Sequence, residues 1–243
     1  MIPEPTSHRE KQFAPTRWSV VLRAGQGSSE ERHAALDTLC HSYWYPLYAF
    51  LRRGGMPPPD AEDCVQGFFA RLLDGRLLDA ATPARGRFRT LLLGALKNFV
   101  TDEHRAATAA KRGSGQALVP LEIALAEERW QADASAMASP ELAYDRAWAA
   151  VTLAAAGTRL RAEFAKADRL ALFEAVFPRV TGAGRESNEM IGRRLGMTPG
   201  AVAAAATRMR DRYAEAIREE IALAVETDAE INDELRHLLG LFT

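Results

Sequence analysis

Cysteine is scarce in this chain, with only Cys40 and Cys64 in 243 residues. Each sits in an apolar, helix-like pattern, so both read as buried thiols of a reducing compartment, and no disulfide is expected. The five histidines (His8, His33, His41, His104, His237) are scattered, and Cys40-His41 has no second ligand pair at metal spacing. No metal site or cofactor is therefore expected. No apolar run approaches the roughly 20 residues of a membrane-spanning helix. The opening MIPEPTSHREKQF lacks the hydrophobic stretch of a signal peptide. The expectation is a cytoplasmic protein with no membrane insertion. Gly182-Ala183-Gly184 precedes Ser187 without a strand or a suitably placed Lys, so a phosphate-binding glycine loop is absent. No catalytic constellation emerges, and an enzyme is the least expected class.

Beta-branched runs are also few, while alanine and leucine dominate and 47% of the residues are apolar. That composition predicts an all-α protein with a substantial core. The net charge of −1 gives no support to a bulk polyanion binder. The distribution is more informative. Between Arg85 and Arg112 seven Lys or Arg stand against Asp102 and Glu103, a net of +5. From Asp60 to Asp79 five Asp or Glu stand against Arg71 and Arg76, a net of −3. Neighbouring segments of opposite sign suggest two partner surfaces, with solvated helix faces as the plainer alternative.

The periodicity divides the chain into a mobile segment at 1–15, a helical domain at 16–112, a flexible linker at 113–138, a second helical domain at 139–226 and a helical tail at 227–243. Thr16 is placed to cap a first helix. A second helical pattern runs from about Glu30 to Arg53 and is expected to kink at Pro46. Pro57-Pro58-Pro59 reads as a stiff connector and Asp60 as the N-cap of the next helix. A long basic helix starts near Phe88. Ser139-Pro140-Glu141 opens another. One more is ended by Pro178, and Thr227 to Glu230 reads as a capping box.

Ser187 to Tyr213 carries the clearest motif: helix, glycine-containing turn, second helix, the layout of a DNA-reading helix-turn-helix. Ser187 caps the first helix, Gly196 supplies a left-handed turn, and Thr198-Pro199 restarts the chain. Val202, Ala206, Met209, Tyr213 and Ile217 form the expected inner stripe. The outer positions are then Gly200, Ala201, Ala203, Ala204, Thr207 and Arg208. Alanine methyls touch thymine methyls but do not discriminate donors from acceptors, so weak direct readout is expected. Arg193, Arg194, Arg208, Arg210 and Arg212 remain for phosphates, with Thr198 at the helix start.

Three segments, in this order, resemble bacterial RNA polymerase sigma factors. The stretch from Asp60 through Cys64-Val65-Gln66-Gly67-Phe68-Phe69 to Leu73 is similar to their polymerase-binding helix. Phe88-Arg89-Thr90-Leu91 through Lys97-Asn98 to Asp102-Glu103-His104-Arg105 looks like their promoter-melting helix. The helix-turn-helix occupies the place of the module that reads the upstream promoter element. The short layout, with Thr16-Arg17-Trp18-Ser19 and Glu234-Leu235-Arg236-His237-Leu238, resembles the extracytoplasmic-function group over about residues 16 to 240.

The resemblance implies a region 2-like domain at 16–112, a region 4-like domain at 139–226, and core RNA polymerase and promoter DNA as partners. It leaves an anti-sigma protein as an open question. Asp60, Asp63, Gln66, Phe69 and Arg71 become the candidate polymerase contacts. Arg87, Arg89, Lys97, Asn98, Asp102 and Arg105 become candidates for the downstream promoter element. Cations there would hold phosphates while Asn98 and Asp102 reach an extruded base. Asp102 has a second reading as an intramolecular partner of Arg105. Arg193, Arg194, Thr198, Ala203, Thr207, Arg208, Arg210 and Arg212 are the upstream candidates. Two other classes compete: a helix-turn-helix regulator that never meets polymerase, and a polymerase-binding adaptor that has lost base reading.

Overall fold

Leucine, alanine and aromatic residues at three- and four-residue spacing give each described segment one apolar face, and helices bury those faces against one another. The computed structural model describes residues 29–73, 87–109, 127, 129–131, 139–223, 225 and 227–242. Side chains are described at all of these except 29, 31–39, 73 and 104–109. Among the described residues all regular structure is helical. The named helices are α1 (Ser29–Arg53), α2 (Pro58–Leu73), α3 (Phe88–Ala109), α4 (Pro140–Lys166), α5 (Leu170–Val180), α6 (Asn188–Leu195), α7 (Pro199–Ala222) and α8 (Asp228–Gly240). The all-α expectation holds. The expected Thr16 helix lies outside the described residues.

Several local expectations hold and others shift by a turn. Ser139 caps α4 by accepting the Leu142 N–H at 3.2 Å, and Pro140 follows at the first helical position. Thr227 and Glu230 form a reciprocal capping box on α8. Asp60 is not an N-cap: α2 begins at Pro58, and the Pro57 carbonyl accepts the first bond from the Ala61 N–H at 2.9 Å. Proline needs no partner for a missing N–H, so the triple-proline segment starts the helix three residues early. Asp60 still lies in the positive first turn. Pro46 sits inside α1, and Pro178 lies within α5 rather than after it.

Buried side chains form two clusters. The first joins α1, α2 and α3 through residues such as Tyr43, Trp44, Tyr48, Val65, Phe68, Phe88 and Leu96. It also takes Trp130, the first half of α4 (Ala143, Tyr144, Ala147, Trp148), Ile221 and Val225 near the end of α7, and Leu238 of α8. The second gathers Leu160, Phe173, Val176, Ile191, Val202 and Met209 from α4, α5, α6 and α7. The division between clusters therefore crosses α4, not the 113–138 stretch. At 1.5 Å rise per residue α4 spans about 40 Å, long enough to serve both.

Polar anchors reinforce the first cluster. Glu127 accepts from Arg52 at 2.9 and 3.1 Å and from the Tyr48 hydroxyl at 2.6 Å. The Arg129 guanidinium lies 4.2 Å from the centre of the Tyr45 ring, and Trp130 is buried. The first half of α4 is tied to α8, with Asp145 3.3 Å from His237, and its second half to α7, where Arg159 bonds Glu220 at 2.7 and 3.0 Å.

Candidate nucleic-acid interface

The helix-turn-helix is built as its residues dictate. The Ser187 hydroxyl accepts the Met190 N–H at 3.3 Å and opens α6. Gly196 closes it at φ 65°, a backbone region open to glycine at little cost. At Gly192 the constraint is space. A Cβ there would lie 2.5 Å from the Met197 carbonyl oxygen, and the Met197 N–H bonds back to the Gly192 carbonyl at 2.8 Å. Thr198 then caps α7 through the Ala201 N–H at 3.2 Å. Thr198 is thereby a capping residue first, though it remains exposed.

Val202, Ala205, Met209 and Ala216 turn inward on α7, with Ala206, Tyr213 and Ile217 half-buried beside them. The inner alanine is thus Ala205 and not Ala206. The stripe drifts because 3.6 residues per turn does not return to the same angle every four residues. Ala203, Ala204, Thr207, Arg208 and Arg210 are exposed, as is Arg193 on α6. Arg193, Arg208 and Arg210 form no ion pair among the described residues. The Thr207 hydroxyl donates to the Ala203 carbonyl at 3.2 Å.

Two expected phosphate contacts are engaged elsewhere. Arg194 makes a paired contact with Glu186, at 2.7 and 3.1 Å, on the surface. Arg212 lies on the α4 side of α7 and bonds Glu163 and Glu219, the latter at 3.0 Å. The hydrogen bonds it donates to Glu163, then to Glu219, hold its guanidinium above its ordinary pKa. Arg212 is therefore a strut between α7 and α4, corrected from a DNA contact in this structure.

On α2, Asp60, Asp63 and Arg71 are exposed, and Gln66 donates to Glu62 at 2.9 Å. Phe69 is a correction: only 5% exposed, it packs on Phe68 in the first core and presents no surface to a partner. The contact set left on the surface is charged and polar, which suits a polar protein surface without burying unpaired charge. Arg71 reaches across to Asp102 of α3 at 3.9 Å and lies over the Phe99 ring. Asp102 therefore has a partner on α2 that the sequence did not suggest. Asn98 is exposed beside it, and the Arg105 side chain lies outside the described set.

The described cations of this segment, Arg87, Arg89 and Lys97, are held by the C-terminal half. Arg87 Nε is 3.0 Å from Glu234 and its Nη2 is 3.6 Å from Asp233. Arg89 is only 9% exposed; it bonds Glu234 at 3.0 Å, pairs with Asp145, and lies over the Trp148 ring. Its carbonyl accepts the Tyr144 hydroxyl at 2.9 Å. Lys97 pairs with Glu141 at 2.8 Å. Arg89 is thus corrected from an accessible phosphate contact to a buried, paired one. Glu141, Asp145, Asp233 and Glu234 are the site residues that local sequence reading missed. Charge complementarity between the basic segment and the acidic α8 is the signal for Asp233 and Glu234, while Glu141 and Asp145 of α4 carry none.

Outside these surfaces little chemistry presents itself. Burial, with Glu103 adding to it, pushes the Cys64 thiol up to about 11, so at neutral pH it is not a thiolate nucleophile. Among the described residues no acid, His and Cys group is arranged to hold a metal, and no helix is long and apolar enough to cross a membrane. A scan against family models and searches of curated proteins and solved structures find no match to this chain.

Proposed function

We propose that this chain is a dissociable transcription-initiation subunit of the sigma type. It would bind core RNA polymerase through the exposed face of α2, place two promoter elements and help melt the downstream one, while the polymerase performs the chemistry. The observation that carries this reading is the helix-turn-helix itself. Both of its helices are capped, its inner stripe is buried, and Arg193, Arg208 and Arg210 stand exposed around an uncovered face of α7. Such cations position a protein on phosphates. The acidic α2 and basic α3 segments, which resemble the other two working parts of a sigma factor, supply what a simple regulator would lack.

A second reading is favoured by the same helix. Ala203 and Ala204 occupy the centre of its exposed face, where base-reading side chains would stand. On that reading the chain binds polymerase as an adaptor without reading sequence. In vitro transcription with core polymerase on genomic fragments, with and without the protein, separates the two. New start sites that depend on the protein support the sigma reading. Tight polymerase binding with no new start site selects the adaptor.

A further inference from the structure

The basic end of α3 is covered by the molecule's own acids. Arg87 and Arg89 are taken by Asp233 and Glu234 of α8 and by Asp145 of α4, and Lys97 by Glu141 at the start of α4. We propose that α8 and the first turns of α4 form an internal mask over the nucleic-acid-binding face of α3, one that a phosphate backbone must displace. This deepens the function proposed above and rests on α3 being a DNA-contacting helix.

Three features point to a mask and not to a simple structural seam. The closure is electrostatic at its centre: Glu234 is 1% exposed and bonds two arginines at once. A seam built only for stability gains as much or more from well-packed apolar residues, because desolvating both charges offsets most of their attraction. Second, carboxylate and phosphate oxygens make the same charge-assisted bonds to guanidinium, so a polyanion competes directly for these groups. Third, α8 is a separate helix with its own capping box. Its apolar hold on the first core is the buried Leu238 with the half-buried Ile231, Leu235 and Leu241, and its His237 ring sits against Trp148 and Asp145 of α4. Leu239 and Phe242 remain exposed. It can therefore leave the first core as a unit, with α1, α2 and α3 still packed on one another. Closed, it holds both arginines; displaced, it frees Arg87 and leaves Arg89 to Asp145 of α4, where phosphate competes with one carboxylate in place of two.

The test uses the full chain and a fluorescein-labelled single-stranded oligonucleotide of mixed sequence. Hydrogen exchange across α8 in the free protein is followed alongside. In the variant D233N/E234Q, α8 exchanges faster, and affinity rises about tenfold as the competent fraction grows. The recovered Arg87 contact steepens the slope of log K against log salt by about 0.7 on a single strand. The control D168N/E174Q, the same change of two charges at α5 and just before it, where Glu174 pairs with Arg161 and Asp168 is exposed, leaves both unchanged. If it tightens binding equally, long-range charge explains the effect and the mask is overturned. Faster α8 exchange with unchanged affinity and slope also overturns it. Should D233N/E234Q not fold, Glu141→Gln at the surface carries the test, with an increase of about 0.7 in slope from freed Lys97. The two proposals fail separately. Unmasked binding without polymerase-dependent start sites sinks the initiation reading alone. Polymerase-dependent initiation with α8 exchange and DNA affinity unaffected by these substitutions sinks the mask alone.

Discussion

The two cationic surfaces of this protein are built from the same residue type and end in opposite states. On α3 and the residue before it, Arg87, Arg89 and Lys97 all point into carboxylates supplied from the other half of the chain. Around the helix-turn-helix, Arg193, Arg208 and Arg210 stand in solvent. The difference comes from what packs beside each. α3 shares the first core with α4 and α8, whose acidic residues fall opposite its basic ones. The outer face of α7 has no neighbour among the described residues, because its inner stripe is already satisfied by α5 and α6. A basic segment in a sequence therefore announces an anion-binding face but not whether the protein itself supplies the anion.

The comparison breaks most sharply at Arg89. Substituting Arg89→Met leaves Glu234 buried with only Arg87 for company, and is expected to cost about 3 kcal/mol. Arg89→Met with Glu234→Leu should recover most of that loss, because an apolar pair of similar volume replaces the ions. Urea midpoints of the two variants decide it, and a double variant no more stable than the single would show that the pair itself is indispensable.

On the open side the decisive residue is Gly192. Gly192→Ala sets a methyl against the Met197 carbonyl at 2.5 Å, a backbone neighbour with little room to yield. The expected cost is near the top of the roughly 1–3 kcal/mol range for overpacking. Trp44, Trp130 and Trp148 all report on the first core. If tryptophan fluorescence and far-UV circular dichroism of this variant give one coincident transition, α4 couples the two cores; a separate early dichroism step would show that the second core unfolds alone.

A smaller effect is expected from Ala203→Arg, which adds a guanidinium to the exposed face of α7. Duplex promoter binding should tighten roughly tenfold, the low end of one bidentate base contact, and an unchanged affinity in a titration would favour the adaptor reading. The smallest expected effect concerns the anchor at 127–131. Hydrogen bonds from Arg52 hold the Glu127 carboxyl below the ordinary carboxylate range despite the opposing pull of burial. A carboxyl lowered in the fold stabilises it fully above the unfolded-state pKa, and that contribution disappears as pH falls through the lowered value. The melting temperature of the wild type should therefore drop more steeply on acidification than that of Glu127→Gln. Parallel curves would mean that the Arg52–Glu127 pair contributes nothing measurable.

The local signals in the sequence were read well where the cause is local. Ser139, Ser187, Thr198 and Thr227 all cap the helices expected of them, because a hydroxyl one position before a helix satisfies an orphan N–H whatever the rest of the chain does. The outward face of α7 followed from periodicity, with a one-residue error at Ala205 and Ala206. The misreadings share a cause. Phe69 is an aromatic group on an amphipathic helix, and only the packing of the first core decides that it is buried and not a surface contact. Arg89 and Arg212 look like any surface arginine until residues 145 and 49 positions away supply their carboxylates.

The sequence by itself determined an all-helical chain, the limits of most of its helices, and a helix-turn-helix whose turn tolerates little but glycine. Those follow from backbone sterics, capping and apolar spacing within a few residues. Tertiary structure alone decided that α4 belongs to both cores, that Glu127 and Trp130 are anchored to α1, and that α8 folds its acids onto the arginines of α3. Such pairings depend on long-range packing and on the desolvation that packing imposes, and no local pattern encodes either.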